Sequence, residues 1–177
     1  MSVTVVRKLG VAASTSGPEK RVMGVDPSTK TGVAVVEGTK ALHASVVKSD
    51  LIGARRMQAI AAGVGLLICE FKPDVVFIEG LAYGQYGSLV EMAQIRVLLE
   101  LEFLKYGVPW YVVPPTSMKQ WVTGSGRADK ERIARAVRER WGFSHKKEDA
   151  MEAYALAQVG RFVLGKGAMK GVARGDV

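Results

Sequence analysis

The stretch that decides the fold is Arg21–Val36, which reads RVMGVDPSTKTGVAVV. It contains an apolar run that ends at Asp26, a turn signal at Pro27-Ser28 and a second apolar run that begins after the turn. This pattern predicts two strands joined by a tight turn. The position of this aspartate at the end of a buried strand needs a physical explanation, because an ionised carboxylate loses hydration when it is buried.

Strands and helices alternate through the rest of the chain. The patterns predict strands at 22–26, 31–37, 41–48, 75–78 and 110–113, and helices at about 52–71, 88–105, 116–122, 129–141 and 148–163. This order predicts an α/β fold with a five-stranded mixed sheet flanked by helices. The first three strands form an antiparallel meander, and the later strands run parallel to the first. In such sheets ligands bind beyond the carboxyl ends of the parallel strands.

Composition and charge narrow the class of protein. The 177 residues suit one domain at 21–164 between flexible basic tails at 1–20 and 165–177. No apolar run approaches the roughly 18–20 residues that cross a bilayer, and the single cysteine, Cys69, fits a reducing compartment. The net charge is +8, and residues 116–147 hold nine Lys/Arg against three Asp/Glu. This excess favours a polyanionic partner such as nucleic acid, and a solvated basic face is the alternative.

Acidic residues stand at one predicted edge of the sheet. Asp26 and Glu79 each end a buried strand, so their carboxylates lie a few ångströms apart if the first and fourth strands are neighbours. On the last helix, Asp149 and Glu152 share the face that carries Leu156. Close carboxylates repel each other and lose hydration, which a cation between them would relieve. An all-oxygen site of this kind suits Mg²⁺ or Mn²⁺.

Each of these acids also has a simpler interpretation. Aspartate before proline is common in turns, and Glu79 reads equally as a strand-end acid in solvent. Acids in the first turn of a helix favour the helix dipole. The metal interpretation therefore depends on the four acids taken together.

A glycine loop with basic residues, Thr123–Lys130, leads into the fourth helix. Its glycines allow a phosphate to approach the backbone closely, although the spacing of a P-loop is absent. Lys130 lies on the inward side of that helix. Tyr83 and Tyr86 follow the second acidic strand end, where they either stack on bases or cap the core. His145 is a minor candidate for a residue of the site, because it lies near the acids of the last helix in the sequence.

In this arrangement the chain resembles the Holliday-junction resolvases of the RuvC type, within the RNase H-like superfamily, over about residues 21–164. Four segments carry the resemblance: Gly24–Gly32, Ile78-Glu79, Lys119 with Val122–Lys130, and Asp149–Ala157. The first segment is shared with many RNase H-like and actin-like proteins, whereas all four in this order are more specific. Glu152 stands where many members have aspartate, which keeps the charge on a longer side chain.

The resemblance implies a structure-selective endonuclease that resolves four-way junctions by paired symmetric nicks and leaves 5′-phosphate and 3′-hydroxyl ends. It implies two Mg²⁺ or Mn²⁺ ions, typically about 3.5–4 Å apart, held by a tetrad of Asp26, Glu79, Asp149 and Glu152. Lys130 joins these acids in catalysis, and contacts with DNA are expected from Lys119, Arg127, Lys130, Tyr83 and Tyr86.

The resemblance also implies a homodimer, because two symmetric cuts suit a two-fold enzyme. The helix at 88–105 is a candidate dimer element or simply part of the core. A cytoplasmic location in a bacterial or phage-infected cell, in association with the nucleoid, is implied as well. Two alternatives remain open: a nuclease of the same fold that cuts other branched or flapped DNA, and a non-catalytic nucleic-acid-binding module. A third, an actin-like ATP-binding domain, would need a second adenosine-binding half, for which 177 residues are too few.

Overall fold

The computed structural model describes residues 19–81, 86–166 and 169–175, without the side chains of 86–88 and 166. The elements in chain order are β1 (Arg21–Asp26), β2 (Lys30–Glu37), β3 (Lys40–Lys48), α1 (Gly53–Phe71), β4 (Val75–Glu79), α2 (Tyr86–Lys105), β5 (Trp110–Val113), α3 (Pro115–Thr123), α4 (Lys130–Trp141), α5 (Glu148–Lys166) and β6 (Ala173–Arg174). Each strand and helix that the sequence predicts is present, with bounds within three residues. Among the described helices, none has the length and apolar character needed to span a membrane.

The strands form one mixed sheet in the order β3-β2-β1-β4-β5-β6. β1, β2 and β3 pair antiparallel, whereas β4 is parallel to both β1 and β5. The predicted mixed sheet is confirmed, with one strand more than expected. β6 pairs antiparallel with β5 inside the segment 165–177, where the sequence predicts a tail. Two residues are too few to show the alternation that identifies a strand. The predicted tail at 1–20 lies almost wholly outside the described residues.

Side-chain alternation along the strands divides the core into two layers. Met23 and Val25 point towards α1 and α2, whereas Val22 points towards α3, α4 and α5. α5 is buried along its whole middle, residues 150–160, because the sheet covers one side of the helix and α3 and α4 cover another. The sequence indicates one inward face on this helix, the face that carries Leu156, whereas the structure buries the helix on more than that face.

Two glycines allow α5 to approach the sheet closely. A Cβ atom at Gly24 would overlap the backbone of Ala153, and one at Gly32 would overlap the carbonyl group of Asp149. Glycine inside a strand often marks the close approach of another backbone. Here the approach brings the first turns of α5, which carry Asp149 and Glu152, to the ends of β1 and β2.

Candidate active site: an acidic cluster at the edge of the sheet

Two of the predicted acids lie on neighbouring parallel strands. Val25 of β1 pairs with Ile78 of β4, so the same register places Asp26 beside Glu79. Both side chains point to the α5 side of the sheet, because Val22 and Phe77, an even number of residues before each acid, belong to the core layer on that side.

The other two predicted acids come from α5 and meet the strand ends. One carboxylate oxygen each from Asp26, Asp149 and Glu152 lie within 4.8 Å of one another. Asp26 and Glu152 are each only 7% exposed to solvent. We call the four side chains Asp26, Glu79, Asp149 and Glu152 the acidic cluster.

Burial and mutual repulsion disfavour the ionised form of the carboxylates in the acidic cluster. Burial raises the pKa of Asp26 well above its ordinary value, and the neighbouring charge of Glu79 raises this pKa further. Burial and the charge of Glu152 raise the pKa of Glu79 to about 7, although Lys119 and Lys130 act in the opposite direction. A group of carboxylates in this state binds a cation favourably, because the cation relieves both the repulsion and the lost hydration.

Lys130 supplies a positive charge to the acidic cluster. The side chain of Asp129 caps the start of α4 by accepting a hydrogen bond from the backbone nitrogen of Arg132 at 2.8 Å. From the first position of this helix, Lys130 Nζ lies 2.6 Å from Asp149 Oδ1 and 2.9 Å from Glu152 Oε2. Burial tends to lower the pKa of Lys130, but its hydrogen bonds to Asp149 and Glu152 outweigh burial and raise that pKa. Lys130 therefore stays charged as a counterion within the protein.

The acidic cluster fits a small divalent cation. In an octahedral site with oxygens at about 2.1 Å, neighbouring ligands lie about 3 Å apart and opposite ligands about 4 Å apart. The three oxygens lie within 4.8 Å of one another, so they would have to move closer together to share one ion. The donors are all carboxylate oxygens, which Mg²⁺ and Mn²⁺ prefer and which disfavour softer metals.

The remaining predicted residues have different placements. Lys119, on α3, lies near enough to Glu79 to lower its pKa. Arg127 is exposed on the loop between α3 and α4. Tyr83 lies outside the described residues, and only the backbone of Tyr86 is described, at the start of α2. Base stacking by either tyrosine stays a prediction.

His145 shapes the loop before α5. Its Nδ1 accepts a hydrogen bond from the backbone nitrogen of Lys147 at 3.0 Å, and its own backbone nitrogen donates to Met151 Sδ at 3.1 Å. Sequence reasoning missed the positioning role of Gly24 and Gly32. The available signal was the presence of a glycine inside each of two apolar strands.

Known proteins resemble the chain over most of its body. Residues 22–160 match the model of the family described as Crossover junction endodeoxyribonuclease RuvC. The protein of that name from Gloeobacter violaceus is 37% identical over 109 residues, which are 60% of this chain and 63% of the relative. The one from Synechococcus sp. strain WH7803 is 27% identical over 151 residues, which are 80% of this chain and 98% of the relative. The structure of Thermus thermophilus RuvC in complex with a Holliday junction substrate has a TM-score of 0.73 and 29% identity, over 85% of this chain and 98% of that chain.

Proposed function

We propose that this chain, which belongs to the crossover junction endodeoxyribonuclease RuvC family, resolves four-way DNA junctions by paired symmetric nicks that leave 5′-phosphate and 3′-hydroxyl ends. The observation that carries the catalytic part is the buried acidic cluster with Lys130 against it. The choice of substrate is supported by the Thermus relative, whose structure holds a Holliday junction. Residues 21–164 form the nuclease domain in this proposal, which the family match over 22–160 supports.

The acidic cluster holds two Mg²⁺ or Mn²⁺ ions in this proposal. When bound, such ions supply an activated water and neutralise charge at the scissile phosphate. The chain orients them through Asp26, Glu79, Asp149 and Glu152, whose carboxylates are fixed by two strands and a buried helix. Lys130 contacts Asp149 and Glu152 of the acidic cluster, and its side chain is 49% exposed, so DNA can approach it. Lys119 adds positive charge near Glu79, and we expect the exposed Arg127 to contact the phosphate backbone as well.

A homodimer would place two such sites on one junction, and α2 offers a surface for it. Leu99 and Phe103 of this helix are buried in the core. The opposite face exposes residues spaced alternately four and three apart, as in the seam of a two-stranded coiled coil: Val90, Gln94, Val97, Leu101 and Leu104. An apolar groove of about 790 Å³ adjoins this seam and shares Val90, Gln94 and Val97 with it. We infer that a second copy of the chain covers the α2 seam.

The proposal is tested by nicking assays on a four-way junction, a flap and a plain duplex, each with Mg²⁺, Mn²⁺ or EDTA. We expect metal-dependent nicks at symmetric positions of the junction. Removal of an outer-shell partner from a metal site costs about 10–100-fold, so Asp149→Asn or Glu152→Gln should cost more than about 100-fold in rate, while junction binding persists. Glu139→Gln, a change of an exposed acid on α4, is the matched control.

Two results would replace the proposal with an alternative. Equal cleavage of flaps and junctions would identify a nuclease of broader branched-DNA specificity. Junction binding by the wild type without cleavage under any metal condition would identify a non-catalytic binding module.

A further inference from the structure

A second polar feature lies beside the acidic cluster, on the same side of the sheet. It is a groove of about 570 Å³ between the ends of β2 and β3 and the loop that precedes α5. Lys30 and Lys48 line it on the sheet side, and Lys146 and Lys147 line it on the loop side. We call it the lysine groove. Asp149 lines the groove and also belongs to the acidic cluster, so the two features are continuous.

The sheet side of the lysine groove contains an unrelieved like-charge pair. Lys30 and Lys48 are directly opposite each other in the antiparallel pairing of β2 with β3. Residues opposite each other in this way point to the same face, and like charges in such positions destabilise a sheet. Neither lysine is in an ion pair within the described part of the chain. Two lysine side chains thus start from opposed positions on one face of the sheet, with no ion-pair partner among the residues that the structure describes.

The loop side of the lysine groove is held in place by His145. Its ring accepts the backbone hydrogen bond of Lys147, and its backbone is tied to Met151 of α5. Lys146 and Lys147 are both exposed on this loop. Of the two acids that line the groove, Asp149 is already paired with Lys130. The groove therefore presents an excess of positive charge to solvent.

We propose that the lysine groove binds the sugar–phosphate backbone of one duplex arm of the DNA next to the acidic cluster. This inference rests on the proposed function, because it extends the path of the same substrate. A duplex arm can engage lysines on both walls of the groove at once. A small anion would meet only exposed lysines with no buried polar group to hold it. Each phosphate contact releases counterions, so the groove should contribute to the salt dependence of binding.

The test compares two double variants with the same change in charge. Lys48→Gln/Lys146→Gln removes one lysine from each wall of the groove. Lys20→Gln/Lys40→Gln is the control, because both residues are exposed at the opposite end of the sheet. Fluorescence anisotropy without catalytic metal, from about 50 to 200 mM salt, gives the slope of log K against log salt. We expect the slope to become shallower by about 1.8 in the groove variant, or about 0.9 for each lost contact, and to stay at the wild-type value in the control.

The outcomes separate the groove from the proposed function. If the groove variant keeps the wild-type slope, the lysine groove does not bind duplex DNA, and the proposal for the groove is wrong. The same result is expected if the groove binds only free phosphate. Neither case contradicts the proposed cleavage of junctions. Equal losses in both variants would also overturn the proposal for the groove, because the effect would then reflect net charge alone. Failure of the wild type to bind junctions would overturn both proposals.

Measurements of stability and kinetics distinguish DNA binding by these lysines from a merely structural role. Relief of the repulsion between Lys30 and Lys48 predicts that the groove variant, without DNA, melts at the wild-type temperature or above it. Its KM for the junction should rise while kcat at saturating DNA is unchanged, since neither substituted lysine belongs to the acidic cluster. A lower melting temperature with an unchanged salt slope would assign the lysines to folding and contradict the proposal.

Discussion

Replacement of Glu79 with glutamine should stabilise the metal-free protein, although it removes a carboxylate from the acidic cluster. Burial and the charge of Glu152 raise the pKa of Glu79 from its ordinary value of 4.5 to about 7. A difference of this size corresponds to about 3 kcal/mol of folding free energy once the group is ionised in both states. A neutral glutamine of nearly the same shape avoids this cost.

The sign of the pH dependence follows from the raised pKa. The folded state holds the proton of Glu79 more tightly than the unfolded chain does. The stabilisation from this group is therefore complete below about pH 4.5 and is lost as the pH rises through about 7. The unfolding free energies of wild type and Glu79→Gln should converge near pH 4.5. They should differ by about 3 kcal/mol at pH 8, which is about 6–12 °C in melting temperature for a chain of this size.

Thermal unfolding followed by circular dichroism in EDTA, from pH 4.5 to 8, measures this difference. Glu139→Gln removes an exposed acid and should stay within about 0.5 kcal/mol of the wild type at every pH. Added Mn²⁺ should stabilise the wild type more than Glu79→Gln, because an ion that binds only the folded state stabilises in proportion to its affinity. Equal melting temperatures at pH 8, or a gap that does not shrink towards pH 4.5, would refute the reasoning that Glu79 is held ionised against repulsion.

Three further changes test other parts of the structure. Lys130→Ala removes the counterion of Asp149 and Glu152, so it should lower the melting temperature in EDTA and tighten Mn²⁺ binding in calorimetry; an unchanged or weaker Mn²⁺ affinity would contradict the counterion role. Gly32→Ala should cost about 1–3 kcal/mol by overpacking and should reduce cleavage, because the new methyl group overlaps the backbone at Asp149; Gly165→Ala, where a Cβ meets nothing within 4 Å, is the control. Leu101→Glu, at a side chain that is 53% exposed on α2, should convert a dimer to a monomer in analytical ultracentrifugation, whereas Leu164→Glu on α5 should not; a Leu101→Glu dimer would exclude the α2 seam.

The sequence could predict the acidic edge of the sheet because the signals are local. The apolar run before Asp26 and the one before Glu79 each identify a strand and the position at which it ends. The alternation of elements then predicts that β4 runs parallel to β1, which the structure confirms, and the pairing of the two strands as neighbours is added by the structure. The spacing of Asp149 and Glu152 places both on one side of a helix, whatever that helix packs against.

The features that the sequence did not predict depend on which surfaces meet. The ion pairs of Lys130 require α4 to pack on α5, and nothing within α4 specifies that contact. Lys30 and Lys48 are opposite each other only in the observed register of β2 and β3. A shift of that register by one residue would separate them. On α2, core and exposed faces are both apolar, so periodicity alone could not separate Leu99, which is buried, from Leu101, which is exposed.

The cation affinity that we propose for the acidic cluster is a consequence of the fold itself. Exposed carboxylates would relieve their repulsion by moving apart into water, but Asp26 ends a paired strand and Glu152 lies on a helix buried throughout its middle. The packing of that helix between the sheet on one side and α3 and α4 on another leaves it little room to move away. The repulsion is therefore retained in the folded state, and Lys130 offsets only part of it, since the pKa values of Asp26 and Glu79 stay raised in its presence. We expect a divalent ion to offset the remainder without rearrangement of the backbone, so metal binding should stabilise this protein while leaving its secondary structure unchanged.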